Sequence, residues 1–365
     1  MRKVYEVFNL ELETITPLHI GDGSSLLPME YIFHEGKLYV VNLDWLLNAF
    51  PDFADKIPEG MFYLAEKLVD SRRTSPDMLV GKLVREHGAD RVMKVFDRQF
   101  NPKAFREIRT FIKDRHGKAY VPGSSIKGAL RTAAAFYLVK GGKRFREDVE
   151  TLFREREEKG FNDVFKAIAV SDALPLSQED GTLQVVKSQR IGSSGRRTGG
   201  RPLINYWEIV PPGSRFAFTI KIHRGYTGEW AEKTGLGSDP KNILTNLLGA
   251  ANYFSRAVVE AEKKKLPATK NKISSLSSDP RNKTSQEQLY SLAESFYLNA
   301  TLKIPSSSGE AVLSMSRGTG KHRKTVRLAL GENEWQMPIT REVIADPAYR
   351  DKPLFGWVML RLKEN

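Results

Sequence analysis

Three stretches of this 365-residue chain hold side chains whose types and spacing could do chemistry. The first, YVPGSSIKGALRTAAAFY from Tyr120 to Tyr137, runs from a short apolar strand through small residues into an Ala-rich helix. Gly123, Ser124 and Ser125 would let backbone N–H groups approach a ligand at the positive end of that helix, and Lys127 and Arg131, four apart, share one face. That is anion-binding chemistry. The same letters also describe a plain helix capped by Ser124 or Ser125, and both readings stand. A Walker A loop is excluded, because Gly128-Ala129 stands where Gly-Lys is required.

The second stretch, SRGTGKHRKT from Ser316 to Thr325, puts Arg323 where the P-loop register needs its second glycine, which argues against an ATPase. What remains is a glycine hinge (Gly318, Gly320) with Arg317, Lys321, Arg323, Lys324 and Arg327, and no acid between Ala311 and Gly331. SQRIGSSGRRTGGRP, from Ser188 to Pro202, has the same composition, with Arg190, Arg196, Arg197 and Arg201. Either loop alone is a solvated basic turn; two of them predict a groove for a polyanion.

In the third stretch His19 lies in TPLHIGDG near Asp22. It could serve as general base for RNA cleavage at a 2′-hydroxyl, or be a turn histidine bonded to backbone. The other histidines (His34, His87, His116, His223, His322) show no H-x-x-x-H spacing, so neither a paired-histidine metal site nor a cofactor is expected. Asp163, Asp172 and Glu179-Asp180 read as surface acids. Tyr206-Trp207 and Tyr226 follow basic residues, but no RNP1 pattern occurs, so the expectation is grip on the phosphate backbone without base stacking.

Composition points the same way. Lys plus Arg number 57 against 44 Asp plus Glu, a net charge of +13, which favours a polyanionic partner. There is no cysteine, which removes disulfides, thiol nucleophiles and Cys-based metal sites. Neither a signal-like N-terminal run nor an apolar stretch of membrane-spanning length occurs, so the expected location is cytoplasmic, with no membrane partner.

The elements that must position these residues follow from periodicity. Phe8, Leu10 and Leu12 alternate with polar neighbours as in a half-buried strand, and 31–41 reads as a hairpin turning at Glu35-Gly36. Residues 61–113 read as mostly helical and 145–159 as a charged helix. Strands are expected over 168–171, 183–188, 204–210, 216–222 and 355–362, and helices over 241–264 and 286–299. The division expected is a core over 1–225 with a helical insertion at about 42–117, then a half over 226–365 that is helical or a second sheet unit, with a flexible segment at about 265–284. The fold class is α+β, a sheet with helices on one face of the ferredoxin-like type.

Taken together, ITPLHIGDG, YVPGSSIKGALRTA, SRGTGKHRKT and PLFGWVMLRL resemble the RAMP proteins of CRISPR systems. FIKDRHGKAYVPGSSIKGALR, SDALPL and YWEIVPPGSRFAFTI extend the likeness over nearly the whole chain. Within that family the chain is similar to the Csm-group subunit that caps the far end of the type III-A effector complex, beside the 3′ end of the guide RNA. The resemblance implies a modified RNA-recognition-type ferredoxin fold with insertions. Its partners would be guide RNA, neighbouring Csm backbone subunits and a nuclease that trims the guide. Ser124, Ser125, Lys127 and Arg131 match the family's central motif, and Gly318, Gly320 and Lys321 its glycine-rich loop. The backbone subunits' cleaving aspartate has no assignable match, Asp22 included, so the implied role is non-catalytic. The competing reading is a metal-independent endoribonuclease acting on precursor guide RNA with His19 as base.

Overall fold

Alternation of apolar and polar residues builds the first sheet. The computed structural model describes residues 4–27, 30–42, 44, 45, 48, 84–97, 107–142, 152–157, 160–191, 203–276, 280–299, 302–315 and 341–363. In it β1 (Tyr5–Thr14) turns Leu10 and Leu12 inward and Tyr5 and Val7 outward, as period 2 requires. β1 lies between β13 (Arg215–His223) and β16 (Trp357–Leu362), antiparallel to both. β14 (Glu310–Ser314) pairs the far side of β16, while β9 (Ile168–Val170) and β10 (Leu174–Pro175) pair the far side of β13.

One face of this sheet is a continuous apolar layer of Phe216, Phe218, Ile220 and Ile222 with Leu10, Leu12, Val358 and Leu360. Three helices belong to the same core. α1 (Gly123–Lys140) buries Ile126, Leu130, Ala133 and Ala134, a helical stripe. α2 (Thr227–Thr234), which follows β13, buries Trp230 against Phe165, ring centroids 5.0 Å apart. α3 (Pro240–Leu276) buries Ile243, Leu247, Ala251, Phe254 and Val258, and its Phe254 meets Phe136 of α1 at 4.8 Å. Asn252 of α3 completes the ladder at β14, donating to Glu310 O at 2.8 Å and accepting from Val312 N at 2.9 Å. Each fully buried Leu, Ile or Phe contributes about 1.5–3 kcal/mol.

The second sheet runs β2 (Gly21–Leu26), β6 (Ile108–Phe111), β12 (Ile204–Ile209), β11 (Gln184–Ile191), β5 (Ala89–Val95), β4 (Lys37–Val41), β3 (Tyr31–His34). β15 (Arg341–Ile344) pairs β11 beyond the short parallel pairing with β5. The β3–β4 hairpin turns where expected, with Glu35 and Gly36 at φ 49° and 74°.

Several expectations are corrected. Within the stretch read as a helical insertion, β5 and β6 are strands: Met93 and Val95 face the core while Val92 faces out, a period of 2 that sparse apolar spacing disguises as 3.6. Residues 51–83 lie outside the described residues. The charged helix at 145–159 gives way over its described part to a hairpin of β7 (Arg154–Glu157) with β8 (Gly160–Asp163). The segment read as flexible, 265–284, is largely helical: α3 continues to Leu276 and α4 (Pro280–Leu298) starts at Pro280. Lys and Ala are good helix formers, extending a packed helix needs no new nucleus, and proline is tolerated at a helix's first position. Finally, β14 and β16 complete the sheet that β1 began, so residues 1–225 and 226–365 share one sheet and one core. Among the described residues no helix is long and apolar enough to cross a membrane.

Candidate nucleic-acid interface

The strand-to-helix corner makes several polar contacts within the fold. The preceding strand position, Val121, bridges Ala173, and this brings β9 and its following turn against the start of α1. A Cβ added to Gly123 would collide with Val170 O and lie 2.6 Å from Ser171 O, so only glycine fits. Gly123 N donates to Asp172 Oδ1 at 2.8 Å, which seats a carboxylate of the chain itself at the helix N-terminus. The serines are not the cap. Pro122 holds that position without a side-chain bond, and Ser124 and Ser125 lie inside the first turn.

The two cations of the corner also have internal partners. Lys127 Nζ donates to Ile168 O at 2.7 Å, and burial pulls its pKa below the ordinary lysine value, opposed by Asp163. Arg131 Nη1 binds both Asp163 oxygens, at 2.9 and 2.8 Å, with its guanidinium 4.7 Å from the Phe153 ring and 5.0 Å from Phe165. Asp163, Asp172 and Asp180 are therefore structural acceptors, not idle surface acids; Asp180 takes Arg215 N at 2.8 Å.

His19 is 1 % exposed, its Nδ1 2.8 Å from Glu208 O and its ring edge-on to Trp207 and Phe111. A base so enclosed does not reach a 2′-hydroxyl. Near it the fully buried Glu208 accepts from Arg91 at 2.8 Å, Lys113 at 2.7 Å and Phe111 N at 2.8 Å. Burial lowers the pKa of Lys113, with Glu208 opposing. Asp22 is pushed up by burial, but bonds from Thr110 and Ser24 outweigh this and hold it below the usual carboxylate range. Tyr206 and Trp207, 4 % and 3 % exposed, are core residues that offer no platform. Among the described residues no His/Asp/Glu cluster could hold a metal ion.

What the second sheet does bring together is the start of the stretch that holds one basic loop, 192–202, and the end of the stretch that holds the other, 316–340. Arg196, Arg197 and Arg201 and the second loop's Gly318, Gly320, Lys321, Arg323 and Lys324 lie outside the described residues. Their anchors do not. Ile191, the last residue of β11, is the register partner of Arg341, the first residue of β15, so one loop departs where the other arrives. Arg190 stands at that edge, its side chain 42 % exposed and its Nε 2.9 Å from Glu342 Oε1. Glu342 also accepts from Ser188 at 2.8 Å.

On the open face of the first sheet lies a feature of which the sequence singles out Tyr226 alone. The register places Tyr5 of β1 opposite His223 of β13, centroids 4.8 Å apart and edge-on. Tyr226 follows at 4.6 Å from His223, with Lys166 Nζ 4.5 Å over its ring. Tyr5 is far from the other two in the chain, and only strand pairing joins them.

Residues 11–285 match the family model described as RAMP superfamily. The CRISPR system Cms protein Csm5 of Streptococcus thermophilus is 27% identical over 269 residues, 64% of this chain and 69% of that protein. Its namesake from Methanocaldococcus jannaschii is 26% identical over 278 residues, 70% of this chain and 63% of that protein. The matched stretches thus stop short of the relatives' full length. Among solved structures, a chain of the cryo-EM Csm-crRNA-target RNA ternary complex of a type III-A CRISPR-Cas system superposes with TM-score 0.62 at 19% identity, covering 98% of this chain and all, 100%, of that one. The crystal structure of T. onnurineus Csm5 gives TM-score 0.60 at 20% identity, over 95% and 99%. At such identities the two structures speak to fold alone. The family match covers well over half of the sequence, and with it the chain belongs to the RAMP superfamily.

Proposed function

We infer that this chain is a non-catalytic RNA-binding subunit of a type III-A CRISPR interference (Csm) complex, holding the 3′ region of the guide RNA and capping the filament of backbone subunits. The likeness to Csm5 proteins supports the complex, and one structural observation carries the RNA grip. The Ile191–Arg341 pair sets the start of one basic, glycine-containing stretch, 192–202, beside the end of the 316–340 stretch that holds the other, with Arg190 next to Ile191. The loops bring Arg196, Arg197, Arg201, Lys321, Arg323 and Lys324, and glycines such as Gly318 and Gly320 allow close backbone approach. Lys127 and Arg131 are assigned instead to fixing the corner, since Lys127 Nζ and Arg131 Nη1 are bonded within the fold. The end position would also set the chain beside a guide-trimming nuclease. The enclosure of His19 speaks against the ribonuclease reading.

The first sheet supports an RNA-recognition-type, ferredoxin-like unit. In chain order β1, α1, β9, β13, α3 and β16 run β-α-β-β-α-β, and in space the strands stand β16-β1-β13-β9.

The test is the salt dependence of binding to single-stranded guide RNA. With about five phosphates neutralised, log affinity should fall against log salt with a slope of about −3.5. Replacing Arg196, Arg197 and Arg201 by Ala should make the slope shallower by about 0.7 for each phosphate no longer neutralised. Affinity that is flat from low to high salt would reject the grip.

A further inference from the structure

The open face of the first sheet holds exposed rings and an exposed cation, and we propose that it is a second RNA-binding surface. In this role Tyr5, His223 and Tyr226 form a stacking platform for bases of single-stranded RNA, with Lys221 meeting the adjacent phosphate. The proposal rests on the RNA-binding reading above but concerns a different surface from the loops.

Four observations carry it. The rings form a row, Tyr5 to His223 at 4.8 Å and His223 to Tyr226 at 4.6 Å, the second pair tilted by 41°. They are open to solvent: Tyr5 is 46 % and Tyr226 37 % exposed, and Val7, one rung along, is 45 %. The row is also preorganised. Gly225 N donates to His223 Nδ1 at 3.0 Å, which puts the neutral ring's proton on Nε2 and fixes the ring plane. Lys166 sits over the Tyr226 ring and is itself held by Glu229 at 3.5 Å. Rings that are locked before a ligand arrives lose little entropy on stacking.

The charge on this end of the face selects the occupant. Lys221 is the register partner of Val7, exposed, and without a bonded partner among the described residues. The next rung is Asn9 with Thr219, bordered by Glu11, bound by Lys363 at 2.7 Å, and Asp172, which accepts Gly123 N at 2.8 Å. Glu6 lies on the other side of the strand, paired with Arg224. Among the described residues the three rungs from Tyr5 to Asn9 therefore present rings, one free ammonium and no acid of their own. Every base has a π-face, so such a surface takes single strands with little sequence preference. An apolar protein segment would use the rings but gain nothing from Lys221.

The experiment uses the full chain and a fluorescein-labelled single-stranded RNA of about 12 nucleotides, read by anisotropy at several salt concentrations. Tyr5→Ala and Tyr226→Ala should each weaken binding between about 5- and 100-fold with the salt slope unchanged, since stacking releases no counterions. Tyr226→Phe should bind as wild type, because the ring and not the hydroxyl acts. Both tyrosines are exposed, and thermal unfolding checks that each variant is folded. If wild type fails to bind RNA, the RNA reading falls and this proposal with it. If wild type binds with a steep salt slope and both alanine variants match it, the platform alone is overturned. The face would then belong to a neighbouring protein.

Discussion

The strand-to-helix corner at Tyr120 to Arg131 and the open sheet face at Tyr5, His223 and Tyr226 reverse each other's appearance. In the sequence the corner looks like a site: small residues, a helix start, two cations on one face. In the fold Gly123 N, Lys127 Nζ and Arg131 Nη1 are bonded to Asp172, Ile168 O and Asp163. The open face has no motif of adjacent letters, yet after folding Tyr5, Tyr226 and Lys221 stay exposed on it. A binding surface is made of groups that folding has not satisfied, and spacing along the chain does not reveal which those are.

The largest effect should come from the corner itself. Gly123→Ala drives a methyl into two backbone oxygens that cannot swing aside, and it should cost about 3 kcal/mol in urea denaturation. RNA affinity of the folded fraction should stay as in wild type. Gly128→Ala is the control on the same helix. Nothing lies within 4 Å of its added Cβ, so it should stabilise by about 0.5–1 kcal/mol. If both variants behaved alike, the close approach at Gly123 would have no energetic weight.

What is legible in the sequence follows the same division. Strict alternation reveals β1, and Glu35-Gly36 reveals the β3–β4 turn, because each signal is local. The family motifs, being runs of adjacent letters, are also readable. Strands β5 and β6 escape such reading because Val92, Val95 and Ile108 owe their state to distant partners, Val92 to Tyr39 of β4 and the other two to β11 and β12, up to a hundred residues away. The candidate site divides likewise. Arg190 can be named from its loop, but that Ile191 meets Arg341 is a fact of register, as is Tyr5 facing His223.

A buried carboxylate near the loop roots tests the comparison through pH. Asp346, 3 % exposed, accepts Lys187 N at 2.7 Å. Burial pushes its pKa up to about 6, the Lys187 bond opposing and Asp97 adding. The unfolded value is near 3.8, so between the two the native state holds more protons than the unfolded state, and stability falls as pH rises through that window. From about pH 4 to 7.5 this group should withdraw roughly 2 kcal/mol. Asp346→Asn, which keeps an acceptor for Lys187 N but does not ionise, should remove that part of the slope in urea titrations at the two pH values. RNA affinity should be the same for both proteins at either pH, since the group belongs to the fold. An unchanged stability slope in the Asn variant would show that Asp346 ionises as an ordinary acid.

The smallest effects discriminate best, because they compare two lysines one at a time. Lys127 is desolvated and bonded to Ile168 O; Lys221 is exposed and opposite Val7. Lys127→Met keeps the aliphatic stem and loses one hydrogen bond, for about 1 kcal/mol of stability and no change in the salt slope of RNA binding. Lys221→Ala should change stability by less than about 0.5 kcal/mol and make the slope shallower by about 0.7. The signature is a crossing: one lysine registers in denaturation and not in binding, the other in binding and not in denaturation. If Lys127→Met also flattened the slope, the corner would have to open its bond to Ile168 O when RNA arrives, and it would count as a grip after all.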